Sequence, residues 1–311
     1  MKLKPRTLSL LQVLSLASMV SCVSLSSQAL TFNLSPNSDM VGEVQTAVTK
    51  PGDSLAQVAR DYDMGYTELE EANPNLDPDH IPAGSVIVIP SQFILPPGPR
   101  QGIVINLAEM RLYYYPKGRD TVMTFPIGIG REGQDATPTG SLKIVEHIAN
   151  PTWHSPESIR IERAKDGVII PKVVPPGPDN PLGNYAMRLS NMTYLIHGTN
   201  DPLGGIGRRS SGGCIRLYPE DIQQLFGATP NGTHVAIINT AYKAGWANNA
   251  LYFESHVALE EKNNQAVDDK SQIQSIINRA AQSRPNATID WNKVTSISGE
   301  TQGLPQTVGK V

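Results

Sequence analysis

The sequence predicts a mainly β protein. A sandwich- or barrel-like domain over about residues 98–240 follows a small strand–helix–helix–strand module over 42–91, and a small C-terminal subdomain over 241–311 closes the chain. Three observations carry this. Charged residues make up only 18% of the 311, while Gly, Pro, Ser, Thr and Asn are abundant, which favours short strands and turns over long charged helices. From residue 101 onward, short alternating or apolar runs recur, each bounded by Gly, Pro, Asn or Asp. That region holds one clear helical pattern. Apolar residues are 39% of the chain, enough for a sizeable core.

Taken in order, residues 30–41 read as a loose leader. "VQTAVT" alternates as a strand should. Asp53 or Ser54 can cap a helix that carries Leu55, Val58, Ala59 and Tyr62 on one face. Thr67 can open a second helix ending at "NPN", and "SVIVIP" is the closing strand. "ILPPGPR", Ile94 to Arg100, is a Pro-rich joint suited to a domain boundary. The strand candidates that follow are "GIVINL", "RLYYYP", "TVMTFPIGIG", "GSLKIVEHI", "YAMRLS", "TYLIHG" and "HVAIIN". "KVVPPGPDNPLGN" is a long loop of the kind that forms either the rim of a site or a surface connection. "YPEDIQQLFG" is the helix, with Pro219 in its first turn and Gly227 as its stop. Beyond it, "ALYFESHVAL" reads as a strand, "SIINRAAQ" as a short helix, and the polar end as a frayed tail.

Residues 1–29 have the form of a secretory signal. Lys2, Lys4 and Arg6 precede the apolar "LSLLQVLSLASMV", and Ser27-Gln28-Ala29 is a small-residue cleavage site. A membrane anchor is the alternative; the apolar stretch is short for one and interrupted by serine. Lipoprotein processing at Cys22 in "MVSC" is a further variant, for which Met19 is a poor match. Removal of residues 1–29 takes away three positive charges and moves the formal net charge from -3 to -6. A mildly acidic chain excludes the basic face that nucleic-acid binding requires.

Cleavage after Ala29 also removes Cys22, leaving Cys214 as the single cysteine of an exported protein. An odd thiol in an oxidising compartment signals intermolecular pairing or reactivity. An inert buried cysteine is the bland reading, but core cysteines have apolar neighbours and Cys214 follows Gly212 and Gly213. The apolar run "TYLIHG" delivers His197 at its end, 17 residues before Cys214. His197 in an imidazolium–thiolate pair, the positive charge of Arg208, Arg209 and Arg216, and the N-terminus of the helix begun by Pro219 are three means of activating the thiol. Amides bared by the two glycines suit a developing oxyanion. Together these describe acyl transfer through a thioester. Thioredoxin-like chemistry needs a second nearby cysteine, zinc needs more ligands at short spacing, and papain-like proteases place Cys before His.

"IHGT" followed by "SSGGCIRL" closely resembles the signature of the YkuD-type L,D-transpeptidases, supported by "QGIVINLAEMRLYYYP", "FPIGIGREGQDATPTG" and "PPGPDNPLGNYAMRL". "PGDSL", "EANPN" and "GSVIVIP" in the leading module resemble LysM, whose members bind N-acetylglucosamine-containing glycans. The whole architecture is similar to that of the periplasmic Gram-negative enzymes of this type. The resemblance implies Cys214 as nucleophile, His197 as general base and then acid, and the Gly198 carbonyl as the group that orients the imidazole. It implies the amides of Gly213 and Cys214 as oxyanion donors, and Arg216 and Ser211 as substrate-binding residues. The implied donor is a peptidoglycan tetrapeptide stem acylated at its third residue with loss of D-alanine. The acceptor is a second stem, a lysine of an outer-membrane lipoprotein, or water, which would make the protein an L,D-carboxypeptidase. No metal or cofactor is required, and carbapenems are expected to acylate the thiol. The competing reading is a catalytically inert LysM-containing wall-binding protein. Many relatives carry histidine where Gly212 stands here.

Overall fold

The computed structural model describes residues 29–259 and 269–311; the expected signal, Ala29 excepted, and Cys22 lie outside them. A nine-stranded curled sheet dominates. Its order is Leu30–Asn33, Thr121–Pro126, Arg111–Tyr115, Gly102–Asn106, His234–Ile238, Gly140–Ala149, Tyr185–Leu189, Leu195–His197 and Ile215–Arg216. Neighbours are antiparallel except for two parallel pairs, His234–Ile238 on Gly102–Asn106 and Ile215–Arg216 on Leu195–His197. The last pair forms one edge of the sheet and carries the histidine and cysteine segments.

Residues 30–41 are not a leader. Leu30–Asn33 pairs with Thr121–Pro126 as the opposite edge, and Met40–Gly42 pairs with Gln92–Ile94. "LTFN" is too short for its alternation to be read without the partner strand that satisfies its backbone.

The central strands are buried on both faces, which explains why they read as near-continuous apolar runs. Ile103, Ile105 and Leu112 enter one core with Ile196, Ile215 and Leu225. Val104, Tyr113, Tyr115 and Val122 face the other way and share a core with Leu55, Val58, Leu69 and Ile87 of the leading module. That module has the expected element order: strand Gln45–Val48, helix Leu55–Asp61, helix Tyr66–Ala72 and strand Val86–Ile89. Ser54 caps the first helix by accepting from the Gln57 N–H at 3.2 Å. The second helix starts at Tyr66, one residue before the expected Thr67, because Gly65 is its cap and Glu68 accepts from the Gly65 N–H at 2.6 Å.

The same Glu68 carboxylate joins module to sheet. Arg111, buried in the sheet, donates Nε to Glu68 Oε1 at 2.6 Å and Nη2 to Oε2 at 2.8 Å, and its Nη1 donates to Thr124 Oγ1 at 2.9 Å. Burial works against the Arg111 charge and Glu68 restores it.

The C-terminal residues form a four-stranded sheet, ordered Tyr242–Ala247, Ala250–Ser255, Gln306–Lys310, Thr288–Ile289, with helices Asp269–Ala281 and Trp291–Glu300 packed against it. The expected frayed tail is therefore a strand held between two others. A second buried charge cluster attaches this unit. Lys243 Nζ donates to Glu109 Oε2 at 2.6 Å and to the Ile94 carbonyl at 2.7 Å, and pairs with Glu254 at 2.9 Å. His256 bonds Glu254 at 2.7 Å and pairs with Glu71 of the leading module at 3.5 Å. Glu109, Glu254 and His256 lie within 4.8 Å of one another, a spacing that suits a cation, and the Lys243 ammonium is the cation there.

Two stability predictions follow from these clusters. Arg111→Ala leaves Glu68 buried without its partner and lowers unfolding free energy by about 3–5 kcal/mol in urea titrations; a loss under about 1 kcal/mol would mean the carboxylate is solvated. Burial opposes the His256 charge, but Glu254 and Glu71 hold it and push its pKa up to about 10. Its contribution is complete below the unfolded value of about 6.5 and is lost as pH rises through about 10. In His256→Gln, melting temperature therefore loses this decline between neutral and alkaline pH.

Candidate active site

The parallel pairing of Leu195–His197 with Ile215–Arg216 builds the site. Its register sets Ile196 opposite Ile215 and His197 opposite Arg216. Ile196 and Ile215 are both fully buried and point into the core. Side chains alternate along a strand, so Leu195, His197, Cys214 and Arg216 share the other face. The 17-residue separation is thus closed by strand pairing, with His197 two positions further along its strand than the residue level with Cys214.

His197 is buried, and its Nδ1 lies 2.6 Å from the Gly198 carbonyl. A carbonyl only accepts, so Nδ1 carries the proton and Nε2 keeps its lone pair. Burial first, and then the Arg216 charge, push the imidazole down to about 3, against the pull of the Gly198 and Leu182 carbonyls. Cys214 is partly buried. Burial pushes its thiol up, while a backbone hydrogen bond at Leu195 and the charges of Arg216 and Arg188 act in the opposite direction. The shifts favour neutral imidazole with neutral thiol over the expected imidazolium–thiolate pair: burial outweighs the arginine charges at the thiol, and burial and Arg216 together disfavour the imidazolium. Among the described residues no hydrogen bond joins the thiol to the imidazole. Such geometry tightens in substrate-bound states.

Of the three arginines expected to charge the loop, only Arg216 acts on the thiol. Arg208 stacks over the Tyr66 ring at 3.4 Å from its centroid, and Arg209 reaches the Gly130 carbonyl and Glu132. Arg216 Nη1 donates to Ser210 Oγ at 3.1 Å, and its buried Nε meets no acceptor.

The loop before Cys214 is held from within. Ser211 Oγ donates to the Cys214 carbonyl at 2.6 Å and accepts from the Gly213 N–H at 3.0 Å. Ser211, buried, thus shapes the loop from within, and its hydroxyl engages the Gly213 amide, while the Cys214 amide carries no backbone partner among the described residues. Gly213 is required by geometry: its φ is +105°, and a Cβ would stand 2.7 Å from Tyr194 Cε1. Sequence reasoning missed Thr137. Its buried hydroxyl donates to the Gly213 carbonyl and accepts from the Gly130 N–H, both at 2.9 Å, and so fixes the Cys214 loop to the neighbouring strand. Its position inside "QDATPTG" was the available signal. Gly212 is different: it is exposed, and a Cβ there would meet only Ile159 Cδ1, at 3.7 Å.

Ile159 belongs to a helix, Glu157–Lys165, absent from the sequence reading because its few apolar residues make no continuous stripe. Glu162 of this helix takes a two-pronged bond from Arg131, at 2.5 and 2.9 Å. The long Pro/Gly loop is a wall of the site. Asn180 pins it through bonds to Pro151, Val174 and Pro175 carbonyls and to the Leu182 N–H, and Gly183 packs on Gly198 and Thr199. The helix after the site, Pro219–Ala228, runs through the expected stop at Gly227 and ends with Thr229 bonding the Leu225 carbonyl.

The family model for the L,D-transpeptidase catalytic domain (YkuD) matches residues 100–237, and that for the LysM domain matches residues 48–90. The Escherichia coli K12 protein named Probable L,D-transpeptidase YcfS is 43% identical over 291 residues, covering 91% of this chain and 89% of that protein. Probable L,D-transpeptidase ErfK/SrfK of Salmonella typhimurium is 37% identical over 284 residues, covering 90% and 91%. Among solved structures, the catalytic domain of the Enterococcus faecium L,D-transpeptidase aligns over 44% of this chain and 96% of its own, with TM-score 0.34 and 22% identity.

Two outcomes test this geometry. Because burial raises the Cys214 thiol, iodoacetamide alkylates it more slowly at neutral pH than an exposed model cysteine, with a rate still climbing above the ordinary thiol range; faster neutral labelling would refute the neutral resting pair. Because Gly212 is exposed and a Cβ there makes only an ordinary contact, Gly212→His folds with a melting temperature within about 2 °C of the parent.

Proposed function

The chain belongs to the L,D-transpeptidase family, and from that premise we propose that it is an exported, periplasmic cysteine acyltransferase acting on peptidoglycan tetrapeptide stems, in which Cys214 is the nucleophile and His197 the base. The observation that carries the residue roles is the strand register that places both side chains on one face, with His197 Nδ1 fixed on Gly198 and Nε2 free to take a proton. The wall-binding module would present glycan strands to a catalytic domain to which it is rigidly joined.

In this reading Cys214 Sγ attacks the carbonyl of the third stem residue while its proton passes to His197 Nε2. The negative charge that develops on the carbonyl oxygen meets the Cys214 amide. Collapse breaks the bond to D-alanine, whose amine leaves with the proton from the imidazolium, and a thioester remains. An acceptor amine then attacks the thioester; the imidazole takes the amine's proton and returns one to the departing sulfur. A thiol that starts neutral suits an enzyme which spends part of its life without substrate, since the thiolate is the form that oxidises. Arg216, with its unpaired buried Nε, is the cation best placed to receive a stem carboxylate. The acceptor is the diamino acid of a second stem, giving a 3→3 crosslink, a lysine of an outer-membrane lipoprotein, or water, which makes the reaction an L,D-carboxypeptidase's.

Incubation with a carbapenem followed by intact-mass measurement gives one covalent adduct, absent from Cys214→Ala; a well-folded protein that gains no adduct would refute the acyltransferase reading. His197→Ala slows adduct formation by about 10²–10⁴-fold, the usual worth of a positioned base. Chromatography of stem-peptide products then separates the acceptors, since 3→3 dimers require a stem amine and shortened tripeptides alone indicate water.

A further inference from the structure

One buried charge cluster outside the Cys214 site is incomplete. Asp63 follows the first module helix and is 3% exposed, and Asp221, in the first turn of helix Pro219–Ala228, is 0% exposed. Their carboxyls face each other and bond only if they share a proton. Asp63 Oδ2 accepts from the Leu30 N–H at 3.1 Å; Asp63 Oδ1 and both Asp221 oxygens meet no donor. The other ionisable groups facing the pair are already balanced. Arg111 is matched by Glu68, Arg60 is paired with Glu220 at 3.1 Å, and Tyr218 donates its hydroxyl to the Met64 carbonyl. The two buried carboxyls thus have a single neutral donor between them, the Leu30 nitrogen, and it serves Asp63 alone. Burial accordingly pushes Asp63 up to about 7, and Asp221 also upward.

Leu30 is the residue that directly follows Ser27-Gln28-Ala29, the small-residue cleavage pattern. We propose that cleavage between Ala29 and Leu30 turns the Leu30 nitrogen into an α-ammonium that supplies the missing cation to Asp63 and Asp221, so that processing of the chain completes the join between the wall-binding module and the catalytic sheet. The reaction is hydrolysis by a leader peptidase of the export machinery. The C–N bond breaks, water's oxygen remains on Ala29 as carboxylate, and the nitrogen gains protons. It replaces one donor with three at the Asp63 carboxyl, whose Oδ1 has no donor and which faces the two donorless oxygens of Asp221. The nitrogen already sits at bonding distance, in a strand fixed by its pairing with Thr121–Pro126, so no rearrangement is needed. What is lost is small: the Ala29 methyl and its carbonyl's contact with Thr31 Oγ1 at 3.3 Å. The gain reaches the site through Asp221, whose helix follows the Cys214–Arg216 segment directly.

The test uses the full chain exported from a bacterial host and recovered from the periplasm. N-terminal sequencing and intact mass are expected to show Leu30 first; any other first residue overturns the proposal while leaving the enzymatic reading untouched. In a variant with Gly-Ser inserted between Ala29 and Leu30, cleavage leaves the amine two residues short of the pair. Its melting temperature at pH 7 falls by about 3 °C or more, and the gap closes as pH rises through the raised amine pKa, because a cation held by partners stabilises only while protonated. The insertion has no such effect in an Asp63→Asn background. Equal melting temperatures in the parent background would overturn the proposal. Should Asp63→Asn fail to fold, α-amine acylation decides: the Leu30 amine reacts several-fold more slowly than the inserted terminus, and equal rates would count as refutation.

Discussion

The Arg111–Glu68 pair is the constraint on which the rest of the architecture turns. A guanidinium in the middle of a sheet costs several kcal/mol of desolvation unless it is met by a carboxylate of matching geometry. No residue of the sheet provides one; Glu68 of the leading module does, through two parallel bonds. The sheet's outer face, with Val104, Tyr113 and Val122, is apolar and needs the same cover. Module and catalytic sheet are therefore one folding problem. The Pro-rich joint at 96–100 connects them in sequence without making them independent in space.

The same docking reaches the chemistry. The N-terminal turn of helix Tyr66–Ala72 grips the loop that leads to Cys214: Thr67 donates its hydroxyl to the Gly207 carbonyl at 2.6 Å, and its amide donates there at 3.2 Å. Gly207 has φ +68°, and a Cβ would lie 2.1 Å from the Tyr66 nitrogen, so the approach is closed to every other residue. Arg208 then stacks on Tyr66. The loop that ends in Cys214 is thus supported on one side by the module and on the other by Thr137 and Ser211, which leaves the thiol positioned but, in its buried setting, uncharged.

Much of this was legible from residues alone. Strands of the catalytic domain announced themselves by apolar runs between turn residues, and the segments of His197 and of Cys214–Arg216, singled out by their setting among glycines, are the ones the strand register brings together. The misreadings have a common cause. Leu30–Asn33 and Gln306–Lys310 are four- and five-residue strands whose backbone is satisfied only by distant partners, and no local pattern reports that. The ionisation of the pair was misjudged because sequence shows which charges are near in the chain but not which are turned away, as Arg208 and Arg209 are. The loop-holding bonds of Ser211 were hidden for the same reason: the chain order of a hydroxyl does not report the direction of its bonds.

Helix Tyr66–Ala72 carries two acids one turn apart, Glu68 buried and Glu71 partly so. Glu68 meets the sheet's arginine, and Glu71 meets His256 of the C-terminal unit. A glycan-binding module is usually thought of as a cassette, exchangeable between enzymes by recombination at a linker. This one is keyed to two separate locks, and a foreign module with equal affinity for the wall but without both acids would leave two buried cations exposed to a mismatch. The chain's evolutionary freedom to trade its targeting module is accordingly narrow, and successful exchanges should carry the helix, the arginine and the histidine together.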